Sequence, residues 1–345
     1  MNNSLFVVVL IACCQLAFAQ SPVDSLTRAG IELHDNGQYA DAISIYTKAL
    51  EIEPGSAIVH YEMAMTCMYA KEYEKAVIHA QKVIDLNDNQ LAGAHDIKGN
   101  SLDYLGKTDE AIKAFEKGIR QFPEYHLLYY NLAVTRVKRS EIPQAEEALL
   151  SAIKVKPDHP GSHFLLGYIK SDLKQRVQSL LCLHYFLLLE PNSQRSANAY
   201  AVIQEQSGRG VKQNENNPNE ITITIESGKE FEAAEMMISV LKASAFIEEN
   251  KNKSDDQLFL ENTTSFFNVL GELKKRKNKG LWWDNYVPFF YELAKSKHIE
   301  AYCFHIGQSV NPRAKEWIAT NPEKMTTFLS WLNDRRLRAP LPGSN

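Results

Sequence analysis

The strongest constraint on this chain is that it repeats itself. Small residues recur at Gly30, Ala64, Gly99, Ala133 and Gly167, at spacings of 34, 35, 34 and 34 residues. A second small series, Ala42, Ala76, Ala111, Ala145 and Ser179, keeps the same spacings. So does a third, Pro54, Asp88, Pro123, Pro157 and Pro191, and Tyr46, Ala80, Phe115, Leu149 and Leu183 sit in register between them. Periods of this length mark stacked supersecondary units, none of which can bury its apolar face alone.

Each series has a mechanical reason. Within a unit, the first helix carries a small residue where the second must approach, and the second helix does the same twelve positions later. A bulky side chain at either place would hold the axes beyond the usual 8–10 Å. Proline ends the second helix, because it lacks an amide proton and clashes with the preceding turn. Asn36-Gly37 and Leu105-Gly106 supply turn signals between the helices.

These residues resemble the tetratricopeptide repeat. Its pattern is matched in order by Ala29-Gly30, Leu33, Tyr39, Ala42, Tyr46, Ala49 and Pro54, and again by Tyr129, Leu132-Ala133, Ala145, Leu149, Ala152 and Pro157. The resemblance implies an all-α fold: a right-handed solenoid of five helix pairs at 23–56, 57–90, 92–125, 126–159 and 160–193. Residues 194–206, with Ala197, Tyr200 and Ala201, read as a capping helix over its exposed end. The fifth unit departs most, with Ser179 for Ala, Arg176 for an aromatic, and Phe186 where a small residue is expected.

The resemblance also implies a site. First helices line the concave surface of such arrays, and the ligand-facing positions fall on Tyr61, Met65 and Tyr69, then Asp96, Asn100 and Tyr104. They continue with Tyr130, Val134 and Lys138, then Phe164 and Tyr168. An aromatic surface with a few polar handles suits a protein or peptide partner. The basic clamp by which some members grip a carboxylate end is not reproduced, since the first repeat offers Thr27 and Ile31 in place of Lys and Asn. Two competing readings are that the carboxyl-terminal half folds into the groove, or that the aromatics serve packing between repeats.

The amino terminus reads as an address. Leu5 to Ala12 is an apolar run, and Ala17-Phe18-Ala19 ahead of Gln20 places small residues at a signal-peptidase site, so residues 1–19 are expected to be a signal peptide. The run is shorter than the roughly 20 residues that span a bilayer, and Met1-Asn2-Asn3-Ser4 lacks the usual positive charge. The expected location is outside the cytoplasm, periplasmic or secreted. Leu10-Ile11-Ala12-Cys13 resembles a lipobox, so the rival reading tethers the protein to the outer membrane through lipidation at Cys13. Cleavage after Ala19 leaves Cys67, Cys182 and Cys303, too few and too far apart for a disulfide framework and expected to be buried thiols.

Beyond the repeats, residues 207–220 are rich in Gly, Asn and polar side chains and read as a linker. Ile221-Thr222-Ile223-Thr224-Ile225 alternates like a strand without an obvious mate. Residues 221–345 otherwise carry helical patterns and are expected to form a separate α-helical domain. Trp282, Trp283, Tyr286, Phe289, Phe290 and Tyr291 are its densest aromatic cluster, read as core. Asn311-Pro312 and Asn321-Pro322 look like capped helix starts. The stretch from Trp282 to Phe304 resembles carboxyl-terminal regions of exported bacterial repeat proteins.

Chemistry is scarce. Lys and Arg total 38 against 42 Asp and Glu, a net charge of −4 that provides no global field for nucleic acid. Asp158, His159 and His163 lack metal geometry because Pro160-Gly161 intervenes, and no cofactor, metal or phosphate-loop motif is present. Lys274-Lys275-Arg276-Lys277 with Lys279 reads as the cationic end of a helix stopped at Gly280, with an anionic patch-binder as the alternative. The function expected is a non-catalytic scaffold. The alternatives are an enzyme with its site in the carboxyl-terminal half, or a structural assembly subunit.

Overall fold

The computed structural model describes residues 21–86, 92–217, 220–224, 230–247, 250 and 252–335; the expected signal peptide, with Cys13, lies outside the described residues. The chain divides into two compact units at Thr108 and Asp109. That division falls inside the third repeat, not at the 207–220 segment that composition marks as a linker.

The first unit contains α1 (Pro22–Asp35), α2 (Tyr39–Ile52), α3 (Ala57–Tyr69), α4 (Tyr73–Asp85) and α5 (Gly93–Tyr104). Ser21 caps α1 by accepting the Val23 amide, and Pro22 occupies the position where a missing N–H costs nothing. The small-residue series acts as expected. A Cβ placed on Gly30 would lie 2.3 Å from the Tyr46 ring, which is wholly buried. Ala42, Ala64, Ala76 and Ala80 complete the interior with Val59, Met63 and Cys67.

The second unit continues with α6 (Thr108–Gln121), α7 (His126–Lys138), α8 (Ile142–Val155), α9 (Pro160–Asp172), α10 (Arg176–Leu189) and α11 (Gln194–Gly208). Five turns between paired helices share one device: Gly37, Lys71, Gly106, Ser140 and Lys174 all adopt positive φ, between 60° and 76°. Only two are glycines. At the other three, the hydrogen bonds that close the turn hold a side-chain-bearing residue in the left-handed region, as in Ser140 N–H to Val137 O at 2.9 Å and Glu141 N–H to Arg136 O at 2.9 Å.

The three departures of the fifth repeat find partners. Ser179 donates its hydroxyl to the Gly167 carbonyl at 2.8 Å. Phe186 packs on Phe164 with centroids 4.9 Å apart. Arg176 is buried and donates to Gln206 O, Ser207 O and Ser239 Oγ at 2.5, 2.8 and 2.8 Å. From Val177 to Leu188 only Gln178 on α10 is not buried.

The expected lone strand has a mate. Within the expected linker, β1 (Val211–Gln213) pairs antiparallel with β2 (Ile221–Ile223), Val211 opposite Ile223. Gly210 opens β1 at φ +75°, and its carbonyl accepts the Thr224 amide at 2.7 Å.

The chain then forms α12 (Glu232–Ser244), α13 (Asp255–Leu273), a π-helical turn (Trp282–Tyr286) leading into α14 (Val287–Lys295), α15 (Ile299–Gly307), α16 (Pro312–Thr320) and α17 (Pro322–Arg335). Asn311 caps α16 as expected, whereas the Asn321 side chain turns back to donate to Trp317 O. The basic run begins at the C-cap of α13, Lys274, but the helix stops at Leu273 and not at Gly280: Lys275 to Lys277 and Lys279 are exposed beyond it, and the Gly280 amide donates to Asp284. The aromatic cluster is core, with Trp283, Tyr286, Phe289 and Phe290 buried. That core is shared with the fifth repeat, since Tyr185 of α10 meets Tyr286 and Phe289 edge-on at 5.7 and 5.4 Å.

Two glycine substitutions separate the two constraints. Gly30→Val drives a branched side chain into Tyr46 and is expected to cost about 2–3 kcal/mol. Gly106→Ala meets no atom within 4 Å, so its cost, about 1 kcal/mol, is the left-handed backbone alone. Urea unfolding of each variant checks both; a neutral Gly30→Val would contradict the close approach.

Candidate functional site

Residues four apart on a helix share a face, so the positions singled out in the sequence form stripes. In the first unit the stripe on α3 is Tyr61, Met65 and Tyr69, and that on α5 is Asp96, Asn100 and Tyr104. Tyr61 leans over the start of α5, where its hydroxyl takes the space a Cβ on Gly93 would need, 2.4 Å away. Tyr69 packs edge-on against His34 at 5.1 Å and beside Tyr39 at 6.1 Å. Tyr104 stacks on Tyr73 at 4.8 Å and 13°. Both keep most of their surface in solvent, 55% and 64% exposed. The aromatics thus do serve packing between repeats, but with one face each.

In the second unit the stripe comprises Tyr130, Val134 and Lys138 on α7 and Phe164 and Tyr168 on α9. Tyr130 repeats the Tyr61 arrangement: it lies 3.1 Å from a Cβ on Gly161 and meets His159 edge-on at 4.8 Å. Phe164 packs on Tyr168 at 4.6 Å, and the Arg195 guanidinium stands 5.4 Å above the Phe164 ring. Glu190 holds Arg195 in an ion pair. Burial, then Glu62 and Asp96, raise the Tyr61 hydroxyl, and burial raises those of Tyr130 and Tyr168. Burial, with His126 and Arg195 nearby, pushes His159 down to about 4. At neutral pH these tyrosines are donors and His159 is uncharged. Arg195 and His159 escape a search for aromatic rows, although Arg195 stands 34 residues after Gly161 and so in register.

Tetratricopeptide-repeat profiles match residues 33–99 and 98–136. The chain is 28% identical over 116 residues to the TPR repeat-containing protein MJ1428 of Methanocaldococcus jannaschii, a match covering 34% of this chain and 20% of that one. It is 23% identical over 177 residues to tetratricopeptide repeat-containing protein trd-1 of Caenorhabditis elegans, covering 50% of this chain and 22% of that one. The chain carries tetratricopeptide repeats across residues 33–136. It thus spans about a fifth of the length of these relatives. Among solved structures, Pseudomonas aeruginosa pilF aligns with a TM-score of 0.46 at 17% identity, covering 54% of this chain and 88% of that one.

The carboxyl-terminal helices engage the tetratricopeptide repeats through α10 and the buried flank of α9. In the second repeat, His60 donates Nε2–H to Pro54 O at 3.1 Å, and its Nδ1 pairs with His79 at 2.9 Å. The fifth repeat carries His163 at the place of His60, and its Nε2–H donates to Pro157 O at 2.8 Å. There the counterpart of His79 is the smaller Cys182, and Tyr286 enters in its stead, donating its hydroxyl to His163 Nδ1 at 2.5 Å. Tyr302 hydrogen-bonds His184 at 2.7 Å, and His305 donates to Leu188 O at 3.1 Å. The partners found for Tyr130 and Phe164 come instead from residues 159–195.

A cavity of about 530 Å³ lies among α10, α11, α12, α13 and the start of α16. Its lining mixes apolar side chains with polar ones and includes His184, Asp255, Asp256, Lys242 and Arg313. Asp256 accepts from Asn311 at 2.6 Å and pairs with Arg313 at 3.2 Å. His184 is turned to Tyr302, so acid and imidazole are each engaged elsewhere. Among the described residues no group of three His, Cys, Asp or Glu is placed to hold a metal. Cys67, Cys182 and Cys303 are free, buried thiols.

Burial lowers His163 to about 4 and His184 to about 3. Protons therefore bind the unfolded chain preferentially between the ordinary imidazole value and these, and stability falls as pH drops through that window. Thermal unfolding of the full chain should show Tm falling from pH 6.5 toward 4.5, less steeply in His163→Gln; identical slopes would contradict the assignment.

Proposed function

We propose that this chain is a non-catalytic scaffold outside the cytoplasm that binds a protein or peptide segment on its first-helix stripes. The observation that carries this reading is the state of Tyr69 and Tyr104. Each ring is fixed against a neighbour on one side and more than half exposed. Rings already held in place lose little entropy on docking, so a modest set of contacts can suffice. In the second unit Phe164, Tyr168 and Arg195 supply an aromatic base with a cationic handle. The location rests on the apolar run at 5–12 and the small residues Ala17 and Ala19, with lipidation at Cys13 the route to a membrane. No helix among the described residues is long and apolar enough to cross a membrane.

The test uses the exposed rings of Tyr69 and Tyr104 with the half-buried Tyr168, none of which belongs to the buried interior. Tyr69→Ala, Tyr104→Ala and Tyr168→Ala together should weaken capture of a partner from native envelope extract at least tenfold, on the basis of about 2 kcal/mol for each anchoring aromatic. Circular dichroism should stay unchanged. Undiminished capture by the folded triple variant removes the stripes from the account.

A further inference from the structure

The cavity of about 530 Å³ among α10, α11, α12, α13 and the start of α16 has a buried floor and an exposed mouth. Leu180, His184, Ile238, Thr263 and Phe266 form the floor, each no more than 5% exposed. Ala201, Gln204 and Asp255 stand in solvent at the mouth. We infer that this is a binding site for a neutral, largely apolar small molecule that sets a carbonyl oxygen on Nε2 of His184.

The volume lies within the roughly 300–1,000 Å³ of small-molecule sites. The group that sets its chemistry is the His184 imidazole, whose Nδ1 is bonded to the Tyr302 hydroxyl at 2.7 Å. That hydroxyl's other contact, the His184 carbonyl, is 3.5 Å away, so its proton goes to Nδ1. Burial keeps the ring uncharged, down at about 3, and a neutral imidazole that accepts at Nδ1 carries its own proton on Nε2. Nε2–H has no acceptor among the described residues, yet it is not sealed in protein. The wall that His184 joins is the wall of the cavity. A buried donor without an acceptor costs free energy, and an incoming oxygen removes that cost.

The occupant's other properties follow from the same floor. A carboxylate there would be desolvated against one neutral donor with no cation beside it, which costs more than the bond contributes. A neutral carbonyl satisfies the donor without that penalty. Leu180, Ile238 and Phe266, with Leu258 and Phe259 above them, offer apolar contact to the rest of the molecule. Asp256 accepts from Asn311 at 2.6 Å and pairs with Arg313 at 3.2 Å, which ties the start of α13 to the start of α16. One wall is therefore fixed before any ligand arrives.

The test uses the full chain and prodan, a naphthalene ketone whose emission reports apolar surroundings. Titration should show saturable one-to-one binding, with emission to the blue of the aqueous probe. Ala201→Trp fills the mouth from an exposed position and should weaken binding by roughly tenfold or more, with circular dichroism unchanged. The double variant His184→Phe, Tyr302→Phe removes the donor and its partner together. In it, the preference for prodan over the analogue with a methylene in place of the carbonyl should fall about fivefold. Should that variant fail to fold, infrared difference spectroscopy of prodan on the wild type reads the same bond, as a carbonyl band lower than in hexane. No saturable binding by the wild type, equal affinity in folded Ala201→Trp, an unchanged preference in the folded double variant, or an unshifted carbonyl band overturns the site.

Discussion

A small residue facing a large side chain fixes the distance between paired helices, and most of the structure follows from that distance. Gly30 lies against Tyr46 and Gly167 against Leu183, with room for no further carbon at either place. Once the axes are that close, the second helix must reverse within a few residues, and the left-handed residue at Gly37, Lys71, Gly106, Ser140 and Lys174 is the means. A left-handed conformation costs a side-chain-bearing residue on the order of 1 kcal/mol. Three repeats tolerate it because burial of the helix pair is worth several times more. Packing sets the geometry, and the turn complies.

The same substitution of small for large explains how the array ends. The place of His79 is taken at the fifth repeat by Cys182, and Tyr286 fills the space. Two energies enter, and they differ in size. An aromatic that buries 150–250 Å² gains about 4–6 kcal/mol, whereas the hydroxyl-to-imidazole bond contributes about 1 kcal/mol net. Apolar burial drives the contact. The hydrogen bonds of His163, His184 and His305 select its register, because each imidazole would otherwise be buried without its partner.

The repeats were legible because their reasons are local: a spacing of small residues, a proline, a glycine in a turn. The stripes were legible too, since helical periodicity alone puts Tyr61, Met65 and Tyr69 on one face. The boundaries were not. Composition marked 207–220 as a linker, yet Val211 to Gln213 pairs with Ile221 to Ile223; a three-residue strand carries too little pattern to show its mate. The unusual fifth repeat held the missing signal. A helix running Val177-Gln178-Ser179-Leu180-Leu181-Cys182-Leu183 has almost no polar face, and a helix apolar all round must be covered on every side. Of its odd residues, Arg176 marks where the cover meets it, through Ser239 of α12, while Ser179 and Phe186 pack on α9. What covers it is a long-range fact, fixed by shape and invisible to periodicity.

That cover also bears on the binding surface of the second unit. Phe186 belongs to α10, whose length is buried, and it supports Phe164 of the stripe. A ring resting on a helix packed on all sides has little freedom to lose when a partner arrives. A ring on a half-solvated helix would have more. The carboxyl-terminal helices therefore need not touch the stripe to matter for it. By immobilising α10 they stiffen the floor on which Phe164 and Tyr168 stand, while the engaged side of α9, at His163, is not the side that presents those two rings.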